Sequence, residues 1–358
     1  MVSLKSFDGG NTGRIPTKKV KLKGVIWVIL DNPLFYGKIR KSFMEKKFNY
    51  FSFIKTLISF SPRQLEGEKK TADFLFGYLK KNKIPYFLEP FFTKIPLIKK
   101  AVLFADGKKI ACQGTSFVSG KIEGKNNLIS SLIGSKYFLT YPNINFNPKC
   151  PTISLSNFYF APALAVDKKG LFQILKAKKV FGQVEVKVKK HRSFNILVGN
   201  KTSARNIIFA HYDSIETGAT DNSSGVAVVM KTILFQPQLL KKNLFVFSGN
   251  EELSYDKPTY WGHGYRVFEK KHKKILKNSK QILVLDCLGN DKTKIFKDEH
   301  TKYLAFPICD KSLNKKTSVL AGNIDKLMTV YHSKADNLSR LKEKYLKEAD
   351  NLLIKILT

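Results

Sequence analysis

Asn206-Ile207-Ile208-Phe209-Ala210-His211-Tyr212-Asp213, followed eight residues later by Asp221-Asn222-Ser223-Ser224-Gly225, decides how this chain is read. Ile207–Ala210 is an apolar run too short for a helix and rich in β-formers, which predicts a buried strand. The run ends in His-x-Asp, so a strand delivers an imidazole and a carboxylate to the edge of a sheet. An aspartate then opens the next apolar, helix-like segment.

Downstream, the texture repeats. Asn222–Phe235 reads as a helix with Val226, Val229, Ile233 and Leu234 on its apolar face, Leu244–Phe247 as a strand, and Tyr260–Leu276 as a helix. Ile282–Leu285 follows as a strand, and Leu338–Leu357 as an amphipathic terminal helix. Strands alternating with helices predict an α/β fold, with a mixed, mainly parallel central sheet and helices on both faces.

Upstream, Phe74, Leu75, Tyr78 and Leu79 recur at helical spacing, Pro85 ends that element, and Tyr86–Phe91 reads as an edge strand. Between about 95 and 200 short apolar runs are broken by turn residues, a β-rich signature. Within it Pro162–Val166 reads as a buried strand, Lys168–Lys176 as a short helix, and Val184–Val188 alternates with period two. The implied organisation is a basic extension over 1–50 with one short element around Val25–Leu30, a main domain formed by 51–95 and 190–358, and a β-rich insertion over 96–189. The extension reads as either partly disordered or a packed strand with basic flanks.

The 358 residues include 63 Lys+Arg against 28 Asp+Glu, a net charge of +35. The lysines are scattered in pairs such as Lys80-Lys81, Lys178-Lys179 and Lys241-Lys242, which describes a solvated basic surface better than a dedicated nucleic-acid face. The longest early apolar stretch, Val25–Leu30, is far short of the ~20 residues that span a bilayer. It also does not make a secretory leader, because Asp31-Asn32-Pro33 interrupts it. Cys112, Cys150, Cys287 and Cys309 show no metal-finger spacing, so free thiols and a cytoplasmic setting are expected.

In open α/β sheets ligands bind at the carboxyl ends of strands. His211 and Asp213, Glu251-Glu252 and Asp286 all fall there. Asp221 to Glu252 is 31 positions and Glu252 to Asp286 is 34, each about one strand–helix repeat, so successive crossovers return these groups to one rim. Two divalent ions sharing one bridging carboxylate need one imidazole and one further carboxylate apiece. His211, Asp221, Glu252, Asp286 and His332 fill that inventory. Read singly, each has a plainer use: His211 could end a strand satisfied by Asp213, Asp221 could cap a helix, and Glu251-Glu252 could be a solvated pair.

Together, His211-x-Asp213, Gly218-Ala219-x-Asp221-Asn222-x-Ser224-Gly225-Val226-Ala227, Glu251-Glu252, Asp286 and Tyr331-His332-Ser333-x-x-Asp336 resemble the motifs of the co-catalytic di-zinc exopeptidases of peptidase family 28, the group of bacterial leucyl aminopeptidases and glutamate carboxypeptidases. Arg63 and Gly67 before a helix resemble the family's start. The resemblance implies a phosphorylase/hydrolase-like zinc-exopeptidase fold and two Zn2+. It places His211 and Asp286 on one ion, Glu252 and His332 on the other, and Asp221 between them. It further implies that Asp213 orients the His211 ring and that Glu251 is the general base toward a metal-bridged water; Tyr331, beside His332, could add an oxyanion hydrogen bond.

The implied activity is an aminopeptidase acting on peptides. The alternatives are a glutaminyl-cyclase-like acyltransferase on the same fold and a non-catalytic binder of anionic polymers. One departure stands out: relatives commonly run Glu-Glu-x-Gly-Leu-x-Gly-Ser, whereas Glu251–Pro258 lacks both glycines. The insertion is similar, at its end, to a protease-associated domain. Of the remaining histidines, His191, His263, His272 and His300 are expected in solvent, with His263 near enough to the Glu pair to line a pocket.

Overall fold

The computed structural model describes residues 21–22, 25–26, 48–132 and 140–358. Lys21–Leu22 (β1) and Val25–Ile26 (β2) pair antiparallel within a first unit, Met1–Lys47. The expected element around Val25–Leu30 is described only at β2, and the reading of the extension as partly disordered falls outside the described residues. Everything else belongs to a second compact unit, Phe48–Thr358.

That unit begins with helices Tyr50–Ile58 (α1) and Glu66–Lys81 (α2). Asn49 starts α1 by accepting the Ser52 N–H. The strand Phe87–Ala105 (β3) follows, then Lys108–Ile110 (β4), Gln113–Gly114 (β5), Gly120–Glu123 (β6), Leu128–Ser130 (β7), Asn143–Phe146 (β8) and Ala163–Val166 (β9). Helix Lys168–Lys176 (α3), capped by Asp167, leads into the long strand Val180–Gly199 (β10). Then come Asn206–His211 (β11), Ser224–Phe235 (α4), Asn243–Ser248 (β12), His263–Asn278 (α5) and Gln281–Leu285 (β13). Lys294–Phe296 (β14), Glu299–Ala305 (α6), Thr317–Ala321 (β15), Ile324–Met328 (α7) and Glu343–Leu357 (α8) complete the chain.

The large sheet runs β14-β15-β13-β11-β12-β10-β3-β4, with β6 also on β10. Its centre, β15-β13-β11-β12, is parallel. Both flanks are antiparallel. Side-chain alternation splits the buried strands between two layers. Ile208, Ala210, Phe245, Phe247, Leu283 and Leu285 pack with α1, α2, α4 and α8 on one face. Ile207, Phe209, Leu244, Val246, Ile282 and Val284 meet Tyr265, Phe268 and Leu276 of α5 on the other.

The second sheet, β5-β9-β8-β7, lies within the insertion. It joins the first through β3 and β10, which pair from Val180↔Ala105 to Leu197↔Phe87 with one register shift between Glu185 and Val186. The same two strands therefore belong to the main sheet at one end and enclose the insertion's core of Leu103, Ile122, Leu164, Val180 and Val184 at the other. The expected limits at 95/96 and 189/190 fall inside continuous strands.

Candidate metal centre

Four parallel strands end at one rim, and the polar residues just past those ends are buried together. β11 ends in His211, 1% exposed, paired through its backbone with Ser248 at the end of β12. Beyond β12 lie Gly249, Asn250 and then Glu251 and Glu252, which are 6% and 4% exposed. Asp286 follows β13 directly, its N–H donated to Leu320 O of β15 at 3.0 Å. His332 sits in the turn after α7 at a left-handed φ of +47°. The solvated reading of the Glu pair is thus excluded.

Asp221 is the hinge of the geometry. Its Oδ1 lies 3.2 Å from His211 Nε2, and its Oδ2 lies 3.5 Å from His332 Nε2. His211 Nε2 is also 3.6 Å from Asp286 Oδ1, and His332 Nε2 is 2.8 Å from Glu252 Oε2. Two donor groups result, His211–Asp221–Asp286 and Asp221–Glu252–His332, each with its atoms within 4.8 Å of one another, sharing Asp221. Glu251 stands beside these groups and in neither.

The surroundings hold this arrangement. Asp213, fully buried, accepts the N–H groups of Glu251 and Glu252, each at 3.0 Å, and a bond from Gln64 Nε2 at 3.2 Å. Its contact with His211 Nδ1 is longer, 3.6 Å, so its principal geometric effect is on the Glu pair. Asp336 accepts from Thr220 N and Asp221 N, fixing the backbone that carries the shared carboxylate. Arg63, fully buried, donates to Tyr212 O, Thr217 O and Gly218 O and so ties down the loop between His211 and Asp221.

Asp221 does not cap α4. Its backbone is non-helical, at φ −112° and ψ 93°, and the side chain that accepts the Gly225 N–H is Asn222. The shared carboxylate is thereby left wholly to the centre.

The electrostatics describe a site made for cations. Burial pushes the Glu251 carboxyl well above the carboxylate range and Glu252 up to about 7. Burial alone would lower both imidazoles, but the facing carboxylates outweigh it and hold His211 and His332 well above their ordinary value. Asp221, also buried, is nevertheless drawn below the usual range by the two histidines. So many buried acids need compensating positive charge. Arg63, held at about 10 by burial against four neighbouring carboxylates, has spent its N–H groups on carbonyls. Among the described residues Glu252 Oε1 is buried with no hydrogen-bond partner, and His332 Nε2, though close to two carboxylates, makes no aligned hydrogen bond to either. Convergent, unsatisfied N and O donors of this kind fit divalent zinc.

The structure gathers all five candidate donors named from the sequence at one rim, together with supporting residues that the sequence does not reveal. Asp336 was visible within Tyr331–Asp336 and Arg63 before α2, but their bonds to the backbone of other segments have no sequence signal. The histidines expected in solvent are largely paired: His191 with Glu68 at 3.0 Å, His263 with Asp256 at 2.6 Å and His272 with Glu89 at 2.7 Å. The carboxylates lie far away in sequence for two of them, which is why lysine-rich local context misled. His263 also contacts Phe91 edge-on, so it faces β3 as well as Asp256.

Fold and site define a class, the zinc aminopeptidase fold with a buried acidic rim. The zinc aminopeptidase BSAP of Bacillus subtilis is 18% identical, with 86% of this chain and 94% of that one covered and a TM-score of 0.62. An aminopeptidase from Aneurinibacillus sp. strain AM-1 is 16% identical over 84% and 90%, TM-score 0.56. A peptidase M28 precursor from Shewanella amazonensis SB2B is 14% identical over 86% and 92%, TM-score 0.60. Residues 195–306 match the model of peptidase family M28, the stretch that holds β11, β12, β13 and four of the five donor residues. Comparison with curated proteins gave no match. The resemblance to the family-28 peptidases read in the sequence is borne out, and with it the coarse reading of a metal-dependent peptidase.

Proposed function

We propose that this chain is a two-zinc exopeptidase that removes N-terminal residues from peptides. The observation that carries the reading is the division of one carboxylate: Asp221 turns each oxygen to a different imidazole, and Asp286 and Glu252 complete two separate donor groups. Two complete groups favour hydrolysis with two ions over a single-metal acyltransferase. That the Bacillus and Aneurinibacillus relatives are described as aminopeptidases supports the substrate end.

In this reading His211 and Asp286 would hold one Zn2+, Glu252 and His332 the other, and Asp221 both. Bound zinc supplies Lewis-acid polarisation of the scissile carbonyl and eases deprotonation of water. The chain's own residues do the rest. Glu251, adjacent to the donors but outside them, takes a proton from the water that attacks the peptide carbonyl and returns it to the leaving amine nitrogen. Burial raises its proton affinity toward what that exchange needs. Asp213 holds the Glu251 and Glu252 backbones, so base and ligand are set at a fixed spacing. Tyr331, whose hydroxyl burial keeps protonated, donates toward the oxyanion.

We take 51–95 with 190–358 as the peptidase domain and 96–189 as its insertion. Peptides are the proposed partners, and the scattered positive charge is assigned no nucleic-acid role. A cytoplasmic setting is proposed from the thiols, since none of the four cysteines is in a disulfide. Among the described residues no helix is long and apolar enough to cross a membrane.

The test is direct. Purified protein should carry about two Zn per chain by elemental analysis. Glu251→Gln should keep the metal and lose hydrolysis of unblocked peptides by at least ~100-fold. N-acetylated peptides should be poor substrates. Full activity in that variant, or equal cleavage of blocked and unblocked peptides, refutes the assignment.

A further inference from the structure

The insertion gives no side chain to either donor group, yet it reaches the centre. Between β8 and β9 the chain passes through Asn147–Phe158 and lies against the turn that carries His332. Leu155 N donates to His332 O at 2.9 Å, and His332 Nδ1 meets Leu155 O at 3.1 Å. Ser154 and Ser333 form an antiparallel bridge. Ser154 Oγ donates to Tyr331 O at 2.6 Å, and Asn147 Nδ2 donates to Met328 O at 2.9 Å and reaches Ser154 Oγ at 3.3 Å. Asn147, Ser154 and Ser333 are 3%, 0% and 0% exposed. A strap from one sheet is thus pinned, on both sides of His332, to a turn belonging to the other.

We propose that Asn147–Leu155 is a positioning element for one half of the metal centre, and that Asn147 and Ser154 are its anchoring residues. The inference rests on the two-zinc reading above and adds to it an asymmetry. A histidine ligand is useful only in one tautomer and orientation, set by the partner of its second nitrogen. With Nδ1–H donated to Leu155 O, the lone pair stays on Nε2, the atom that faces Glu252 and Asp221. The left-handed backbone of His332, costly for a non-glycine residue, is held by the bonds to Tyr331 O, His332 O and Met328 O.

The other half depends on the insertion less directly, through apolar packing of Phe117, Leu155 and Phe158 with Ile215 in the loop between His211 and Asp221. His211 is the last residue of β11, paired on that strand's backbone with β12, and Asp286 follows β13. Their supports, Asp213 and the β15 carbonyl of Leu320, come from the peptidase sheet. The insertion therefore bears on the Glu252/His332 position more directly than on the other.

The experiment uses full-length protein, Ser154→Ala and Asn147→Ala. Metal-free samples are titrated with zinc by calorimetry, and histidine 15N shifts are read by NMR before zinc is added. In both variants one of two equivalents should weaken about 10- to 100-fold while the other changes by less than ~3-fold. In the metal-free wild type His332 should be protonated at Nδ1 whenever neutral, and in the variants its two tautomers should mix. Equal weakening of both equivalents, unchanged affinity for both, or an unchanged tautomer overturns the proposal. Uptake of a single equivalent by the wild type refutes the two-zinc reading, and the tautomer measurement then still decides the role of the strap.

Discussion

Replacing Arg63 by methionine keeps most of the buried stem and removes the guanidinium. Four bonds vanish, from Nε to Tyr212 O at 2.8 Å, Nη1 to Thr217 O at 3.0 Å, Nη2 to Gly218 O at 3.1 Å and, more weakly, Nη1 to Ser61 Oγ at 3.3 Å. Their losses are unequal. Thr217 O still accepts from Ser61 Oγ, and Gly218 O still accepts from Ser223, so those two cost only the net value of a charged bond. Tyr212 O has no other bond among the described residues and is left buried without a donor. One orphaned carbonyl at about 1–3 kcal/mol and two weakened charge-assisted bonds at about 1 kcal/mol each give a destabilisation of about 3–5 kcal/mol. For a unit of this size that is a drop of roughly 5–8 °C in thermal midpoint. Differential scanning fluorimetry of the metal-free protein measures it without interference from ligand linkage. Lysine keeps the charge but cannot fork to three carbonyls, so Arg63→Lys should recover less than half of the loss. An Arg63→Met midpoint within about 2 °C of the wild type would refute the idea that this side chain ties down the loop.

Two further outcomes follow from the packing and charge around the rim. Asp256 is drawn down to about 2: burial opposes this, but His263 and Arg266 outweigh it. Because its folded value lies below the unfolded ~3.9, it contributes stability above that pH and loses it as pH falls toward about 2. Midpoints of wild type and Asp256→Asn should therefore converge as pH falls from 5 to about 2, and a constant gap would show that the pair is inert. A Cβ on Gly264 would lie 2.0 Å from Gly249 O, so Gly264→Ala should cost at least ~2 kcal/mol by denaturant unfolding, whereas Gly77, with nothing within 4 Å on α2, should tolerate alanine with a gain of about 0.5 kcal/mol.

The parts of the molecule legible in the sequence are those written in short-range periodicity. β11, β12, β13, α3 and α4 lie within a few residues of their expected positions, because each is an apolar run bounded by turn residues or an identifiable cap. Three of the five candidate donors, His211, Glu252 and Asp286, were legible for a related reason, since strand ends recur once per crossover, whereas Asp221 and His332 were read from the inventory two ions need and from their motifs. β15 was not anticipated, although all five of its residues are buried, since Thr317–Ala321 is short and follows a lysine-rich turn. Nor was α1, whose Tyr50–Ile58 begins at the margin of the basic extension. The supports of the centre were hidden more deeply. Asp336 bonding Thr220 and Asp221, or Leu155 meeting His332, are encounters between segments more than a hundred residues apart that no local pattern encodes.

The paired strands β3 and β10 have a mechanical consequence. A hinge between two domains needs a crossing of few bonds, but here the crossing is a ladder running from Val180↔Ala105 to Leu197↔Phe87 without interruption beyond one bulge. Rotating the insertion about such a beam would tear hydrogen bonds in series, and the one bulge, between Glu185 and Val186, is where the ribbon bends. The strap at the His332 turn is thus carried on a continuous two-stranded support and not on a flexible tether.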